Sequence, residues 1–250
     1  MKQRLSFERF TIAGVFLLAA GSALAGEARI AVASNFAAAA KGLEISFEER
    51  TNHEARLVFG STGKHYAQIR NGAPVDVLLA ADERRPRLLE EEGAAVRGSR
   101  FTYARGRLVL WSSEVGYVDG EGRVLEIGGF RHLAIANPKL APYGAAAREV
   151  LESLGLWRTL EGRIVRGENV AQALQFVESG NAALGFVASS QLARGRSEKG
   201  SSWEVPRGLY SPITQQAVLL RDEPAARAFL TFLRSEPALE IIRGHGYEVP

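Results

Sequence analysis

The chain has 250 residues, of which 46% are hydrophobic and 24% are charged, which is ordinary for a folded globular protein. This length allows one large domain or two smaller lobes, each with its own core. The formal net charge is only +3, with bases and acids interleaved, so the sequence lacks the concentrated basic stretch that nucleic-acid binding requires. Cysteine is absent, which excludes thiol catalysis, disulfides and cysteine-ligated metal sites.

The N-terminal residues have the pattern of an export signal. Basic residues up to Arg9 precede an apolar run at 10–20, which is too short to span a bilayer comfortably. Ala23-Leu24-Ala25 then provides the small-x-small pattern of a cleavage site. Residues 1–25 are therefore predicted to be a cleavable signal peptide, with an uncleaved anchor helix as the alternative.

From residue 26 onward, short apolar segments alternate with amphipathic ones, and the alternation occurs in two blocks. Such alternation predicts β-α-β units and a mostly parallel sheet. In the first block, strands are predicted at 29–33, 57–59 and 75–80, and helices at 36–50, 64–70 and 84–92. In the second block, strands are predicted at 133–136, 164–165 and 184–187, and helices at 144–154 and 170–178.

The remaining segments predict how the two blocks are joined. Two strands, at roughly 101–110 and 209–220, are expected to cross between two lobes. The polar segment 194–202 is expected to be a surface loop, and two helices, 224–235 and 237–244, are expected to return to the first lobe. The predicted fold class is therefore α/β, with a ligand cleft between two lobes. The first lobe is expected to comprise residues 26–103 plus 211–250, and the second residues 104–210.

Groups that donate hydrogen bonds follow four of the predicted parallel strands. Open parallel sheets bind ligands at the carboxyl ends of their strands, next to helix N-termini. A helix N-terminus presents unpaired N–H groups and the positive end of the helix dipole, so it favours anions. This convergence predicts an uncharged, donor-rich anion site between the lobes. The candidate residues are Ser34 and Asn35 after the first strand, Ser61 and Thr62 after the second, and Tyr143 and Val170 at two helix starts of the second block.

The motifs after the first and second strands allow two other interpretations. A helix-capping role alone would equally account for Ser34 or Asn35, since both residue types are common N-caps. The segment Gly60–Lys64 partly matches a nucleotide-binding P-loop. It has Val58 where that motif needs glycine and His65 where it needs Ser or Thr, so the nucleotide interpretation is weak.

An enzymatic function has less support than a binding function. The four histidines are scattered without the spacing of a metal site, and no Gly-x-Ser-x-Gly motif is present. An exported hydrolase using Asp76 or Asp82 is an alternative, although Asp is far more common as a surface or capping residue. No nucleophile and base can be named together, so the sequence predicts a protein that is not an enzyme.

Eight short motifs follow one another along the chain. They are Ala33-Ser34-Asn35-Phe36, Gly60–Lys64, Asn71–Val77, Ala80–Glu83, Asn137–Gly144, Glu168-Asn169-Val170, Leu184–Val187 and Gly246-Tyr247. In this order they resemble the periplasmic molybdate-binding proteins of ABC importers, over essentially the whole chain after residue 25. The resemblance implies the type II periplasmic-binding-protein fold, in which two lobes joined by two crossing strands close on a dehydrated oxyanion.

This resemblance also implies a function. The protein is expected to capture molybdate, and tungstate with it, in the periplasm and to deliver it to an inner-membrane ABC permease with its ATPase. No cofactor is implied, molybdenum enters only as the oxyanion, and a monomer without nucleic-acid partners is expected. The resemblance assigns the anion to the hydroxyls of Ser34 and Thr62, with Ser61 adjacent, and to the backbone N–H groups of Asn35 and Val170.

The position of a ligand tyrosine differs between branches of this family. One branch has it just after the Leu-Gly-Ile-Val strand, where this chain has Ala188, and the other has it in the Ala-Pro-Tyr-Gly loop, which matches Tyr143. The resemblance therefore assigns a phenol donor to Tyr143, with a packing role as the alternative. Molybdate offers only acceptors and suits a site made of donors. Sulfate does too, so a receptor for sulfate or another tetrahedral oxyanion on the same fold stays open.

Overall fold

The computed structural model describes residues 25–192 and 199–250. The predicted signal peptide, except for Ala25, lies outside the described residues. Within the described ranges, no helix is both long and apolar enough to cross a membrane.

Ten strands and ten α-helices make up the described part of the chain. The strands are β1 (Glu27–Ala33), β2 (Glu54–Gly60), β3 (Val77–Ala80), β4 (Phe101–Gly106), β5 (Leu108–Ser112), β6 (Leu133–Ala136), β7 (Ile164–Gly167), β8 (Leu184–Ala188), β9 (Ser201–Glu204) and β10 (Ile213–Leu219). The helices are α1 (Ala37–Arg50), α2 (Thr62–Arg70), α3 (Arg84–Glu91), α4 (Val124–Ile127), α5 (Pro142–Ser153), α6 (Trp157–Leu160), α7 (Val170–Glu178), α8 (Ser189–Leu192), α9 (Pro224–Leu233) and α10 (Glu236–Gly244). Short 3₁₀ turns occur at Ser34–Phe36, Glu161–Arg163 and Arg207–Leu209.

The strands form two five-stranded sheets with matching designs. The first has the order β2-β1-β3-β10-β4 and the second the order β7-β6-β8-β5-β9. In the first sheet β1 runs parallel to β2 and β3, while β10 is antiparallel to β3 and β4. In the second, β6 runs parallel to β7 and β8, while β5 is antiparallel to β8 and β9. Each sheet therefore has a three-stranded parallel part with its carboxyl ends at one edge, and the predicted α/β class is confirmed.

The chain passes twice between the two sheets. At the first crossing only Arg107 separates β4, in the first sheet, from β5, in the second. The second crossing, residues 205–212, contains a 3₁₀ turn, and the predicted strand over 209–220 begins only at Ile213. Pro206 and Pro212 bound this segment, and proline cannot donate to a strand ladder. The predicted lobe boundaries stay a prediction; β4 belongs to the first sheet through Gly106.

Four short elements were missed by the sequence analysis: β9, α4, α6 and α8. Part of the predicted surface loop at 194–202 lies outside the described residues, but Ser201–Glu204 is strand β9, paired with β5. The indole of Trp203 is buried in the core of the second sheet, and this burial holds β9 in place. One buried aromatic in a polar segment carries too little periodicity to predict a strand.

Each sheet has a core of its own, and the second core reaches across to the first lobe. Phe36, Phe47 and Phe229 belong to the first core. The second core includes Ala33, the last residue of β1, and Ala81, which follows β3 of the first sheet. The two lobes are therefore in contact where these strands end.

Polar contacts also join the two lobes along the cleft. The Gly63 N–H donates to the Leu140 carbonyl at 2.8 Å, and the Ser190 hydroxyl donates to the Asn35 carbonyl at 3.2 Å. At the rim, the Lys64 ammonium lies 2.9 Å from the Glu168 carboxylate. The two lobes are therefore in direct polar contact across the cleft.

Gly144 permits a close approach of α5 to the end of β6, and we expect Gly144→Ala to destabilise the fold. A Cβ there would overlap the Ala136 carbonyl oxygen and lie 2.7 Å from the carbonyl carbon. Alanine gains about 1 kcal/mol in helix propensity, but overpacking against backbone costs about 1–3 kcal/mol, so a net loss is expected. Denaturant unfolding measures it. Gly162→Ala, which meets nothing within 4 Å, is the control. Equal stability of the two variants would contradict the packing argument.

Candidate anion-binding site

A small cavity lies between the lobes where the parallel strands end. Its volume is only about 10 Å³, and we call it the cleft cavity. Its lining contains no charged side chain: Ala33, Ser34, Asn35, Gly60, Ser61, Thr62, Ala81, Ala141, Pro142, Tyr143, Asn169 and Val170. All six residues predicted from the sequence are in this set. That they hold an anion stays a prediction.

The topology explains why residues so far apart in sequence meet here. β1 and β2 of the first sheet end at Ala33 and Gly60, and the segments that follow line the cavity. From the second sheet, the start of α5 follows β6 and the start of α7 follows β7. The carboxyl ends of the parallel strands in the two sheets therefore face one another. Such an arrangement places binding sites at strand ends.

Two hydroxyls in the cavity already accept hydrogen bonds from the protein. Ser61 is the N-cap of α2, and its Oγ accepts from the Lys64 N–H at 3.4 Å. The Thr62 Oγ1 accepts from the Ala81 N–H at 3.0 Å. Because a hydroxyl carries a single hydrogen, accepting from the backbone leaves that hydrogen to be donated elsewhere. Both side chains are almost fully buried, so their orientation is set by packing.

Helix starts supply backbone donors to the same cavity. The Asn169 side chain caps α7 by accepting from the N–H groups of Ala171 and Gln172 at 3.0 and 3.1 Å. The N–H of Val170, the first residue of the helix, is left without an intrahelical acceptor. Tyr143 is the second residue of α5, after Pro142, and its N–H is left in the same way.

Asn35 uses its side chain within the protein. Its Nδ2 donates to the Oε1 of Gln215 at 2.9 Å and to the phenol oxygen of Tyr247 at 3.0 Å. The Asn35 carbonyl accepts from the Tyr247 hydroxyl at 2.7 Å. The backbone N–H is therefore the donor group left to Asn35, and its contact with an anion stays a prediction.

The phenol of Tyr143 has a protein partner beside the first crossing. Its oxygen accepts from the Nε2 of Gln215 at 3.4 Å and lies against Gly106. Burial raises the pKa of Tyr143 well above its ordinary value, so the phenol stays neutral. The structure thus brings Tyr143 to the cavity, but the sequence did not anticipate Gln215 as the partner of the phenol. Two glutamines in a strand gave no signal for this role.

Charged groups near the cavity are paired at its rim. Lys64 lies against Glu168, and Arg85 pairs with Asp82. The positive potential inside the cavity therefore has to come from helix dipoles and N–H groups. Asp76 and Asp82, the two candidate residues for a hydrolase, lie apart. Asp76 precedes β3 and Asp82 follows it, so roughly 20 Å of extended chain separates the two residues. Among the described residues, no cluster of His, Cys, Asp and Glu suits a metal ion.

A neutral histidine supports the floor of the cavity. The His65 Nε2 lies 3.2 Å from the Val32 carbonyl, which only accepts, so this nitrogen carries the proton. Burial lowers the pKa of His65, because the charged ring would lose its water shell, and the hydrogen bond to Val32 opposes this only in part. At neutral pH the His65 ring therefore places no positive charge next to the cavity residue Gly60.

Comparisons with known proteins cover nearly the whole chain. Residues 28–248 match the family model described as bacterial extracellular solute-binding protein. The molybdate-binding protein ModA of Azotobacter vinelandii is 51% identical over 247 residues, which are 97% of this chain and 98% of that protein. ModA of Rhodobacter capsulatus is 51% identical over 228 residues, covering 90% of this chain and 89% of that protein. A solved structure of the Azotobacter vinelandii periplasmic molybdate-binding protein has a TM-score of 0.86 at 42% identity, covering 89% of this chain and 99% of that chain.

Stability is expected to fall on acidification through His65. The unfolded histidine titrates near its ordinary pKa of about 6.5, while the folded one titrates lower, so the unfolded chain takes up a proton first. This contribution is fully present above about pH 6.5 and is lost as pH falls. Denaturant unfolding from pH 8 to pH 5 should show a shallower pH dependence for His65→Gln than for the unmodified chain. Parallel curves would contradict the assignment.

Proposed function

Because the chain belongs to the bacterial extracellular solute-binding protein family, as a ModA-type member, we propose that it captures molybdate in the cleft cavity. The observation that carries the proposal is the donor set of that cavity. Hydroxyls that accept a backbone hydrogen bond and keep their own hydrogen to donate, and helix-start N–H groups without intrahelical acceptors, surround a space with no charged lining. Such a site matches a ligand that only accepts hydrogen bonds.

The proposed ligand contacts combine hydroxyl and backbone donors. Ser34 and Thr62 contribute hydroxyls, with Ser61 next to Thr62, and Asn35 and Val170 contribute backbone N–H groups. For Tyr143 we propose the backbone N–H at the start of α5, because its phenol oxygen lies against Gln215 and Gly106, neither of which lines the cavity. Three helix N-termini, those of α2, α5 and α7, then point at one anion, and their dipoles replace a countercharge.

The chemistry of the anion supports this choice. Molybdate is fully deprotonated at neutral pH, so all of its oxygens accept. Tungstate has the same charge and shape and is proposed to bind as well. Phosphate carries a proton near neutral pH and would need an acceptor, and no carboxylate lines the cavity. Sulfate has only acceptors, so its exclusion has to come from the size of the cavity.

We further propose that the protein acts in the periplasm and delivers its ligand to an ABC importer. The signal peptide predicted at residues 1–25 and the family relationship support export to the periplasm. The contacts that join the lobes, such as Gly63 to Leu140, belong to the closed form. Anion binding would favour this form over an open one, since only the closed form presents donors from both lobes.

Calorimetric titration of residues 26–250 tests the proposal directly. Molybdate and tungstate are expected to bind tightly, and at about one hundred times the dissociation constant each should add about 2.7 kcal/mol to the free energy of unfolding. Sulfate and phosphate are the matched competitors and are expected to give no heat and no thermal shift. If sulfate bound as tightly as molybdate, the protein would be a receptor for sulfate or for tetrahedral oxyanions in general, and the proposed ligand would be wrong. No binding of any of the four anions would refute the proposed site.

Val170→Pro tests the backbone donor alone. Proline is tolerated at the first position of a helix, and Asn169 already has the extended backbone that a following proline requires. The substitution should therefore keep α7 but remove one N–H, and molybdate affinity should fall about tenfold or more for a charge-assisted bond. Val170→Ala keeps the N–H and should bind nearly normally. Equal affinity of the two variants would remove Val170 from the ligand set.

A further inference from the structure

Gln215 is a fully buried amide that none of the roles proposed so far explains. It lies on β10, where the register against β4 shifts between Gln215 and Gln216. A bulge of this kind turns a side chain away from the direction that regular alternation would give it. Here both neighbouring glutamines are buried, and Gln216 contacts Arg100 and Glu83 of its own lobe, whereas Gln215 lies at the base of the cleft.

The amide of Gln215 joins residues from both lobes. Its Oε1 accepts from the Asn35 Nδ2 at 2.9 Å and from the Tyr103 hydroxyl at 3.1 Å, both in the first lobe. Its Nε2 donates to the phenol of Tyr143, on α5 of the second lobe, at 3.4 Å. Asn35 and Tyr143 both line the cleft cavity, Asn35 after β1 of the first sheet and Tyr143 after β6 of the second. One side chain therefore links a cavity residue of each lobe.

Gly106 leaves the space in which this link forms. It is the last residue of β4, next to the first crossing between the lobes. A Cβ at this position would overlap the Tyr143 phenol oxygen and would lie 2.8 Å from the Nε2 of Gln215. An added methyl group would thus occupy the position that the phenol takes when the lobes are closed.

We propose that Gln215 is a positioning residue that couples anion capture to lobe closure. In this proposal Gly106 leaves open the space that the Tyr143 phenol occupies. Closure brings the phenol onto Gln215 and Gly106. The same movement places the Tyr143 N–H opposite the Asn35 N–H across the cavity, so a bound anion and the phenol contact stabilise one closed form. This inference rests on the proposed function, because it assigns both N–H groups to the anion.

The test measures molybdate affinity together with lobe closure. The chain contains no cysteine, so Lys41→Cys on α1 and Thr159→Cys on α6, both exposed, give unique sites for a fluorescence energy-transfer pair spanning the lobes. Tyr143→Phe removes one hydrogen bond and should weaken molybdate binding about five- to tenfold. Gly106→Ala should weaken it more and lower the closed fraction at saturating molybdate. Gly208→Ala, in the second crossing, meets nothing within 4 Å and is the matched control.

Combining the two substitutions gives the decisive outcome. Tyr143→Phe, harmful alone, should improve affinity and closure in the Gly106→Ala background, because it removes the atom that the new methyl overlaps. No improvement, or wild-type affinity for Gly106→Ala, overturns the coupling. Should Gly106→Ala not fold, Tyr143→Phe is combined with Gln215→Met: the double variant should bind no more weakly than Gln215→Met alone, and effects that multiply overturn the coupling.

The unmodified chain separates the two hypotheses. If it binds molybdate while the variants fail the tests above, only the coupling is wrong. If it binds no molybdate at all, the proposed function is wrong and the coupling falls with it.

Discussion

The cleft cavity depends on one constraint of topology, the facing of two parallel sheet edges. In a parallel unit every strand ends at the same edge, and the next helix begins there. Here β1 to β3 and β6 to β8 each form such an edge, and the two crossings turn these edges toward each other. Helix starts from both lobes therefore meet at one point, and their unpaired N–H groups create a positive potential without a charged residue. An antiparallel design would scatter these helix starts over both edges.

Buried polar groups are costly unless they are paired. Pairing with the backbone therefore holds the hydroxyls that line the cavity in one orientation. The Ala81 and Lys64 N–H groups donate to the hydroxyls of Thr62 and Ser61, so the hydrogen of each hydroxyl remains available for a ligand. The His65 ring, which lies against Gly60, stays neutral because burial lowers its pKa, so it adds no positive charge to the site. A cation in its place would attract any anion by charge alone, whereas oriented neutral donors distinguish ligands by their acceptors.

A second layer of polar side chains lies beneath the donors and spans the lobes. Gln215, Tyr103, Tyr143, Tyr247 and Asn35 are buried and hydrogen-bonded to one another. In a dry interior such a network is rigid when every member is satisfied and costly when one is lost. The positions of the Asn35 and Tyr143 backbones are therefore tied to the closed arrangement of the lobes. A cleft lined only by apolar residues would close without fixing the donors in this way.

Much of this molecule could be predicted from the order of its residues, because the signals involved are local. Alternating apolar segments indicate α/β units, and Ser, Thr and Asn at strand ends indicate donors at helix starts. Together with the helix starts at Tyr143 and Val170, these signals identify six of the twelve residues that line the cavity. The short strand β9 could not be predicted in this way, since it depends on the burial of Trp203. The irregular second crossing did leave a local signal, because Pro206 and Pro212 argue against a continuous strand there. The direction of the Tyr143 phenol was also decided only by the folded chain. Its partner Gln215 is 72 residues away, and Gln215 in turn meets Asn35 across 180 residues. Contacts over such distances arise from lobe packing and a β-bulge, and neither leaves a periodic trace in sequence.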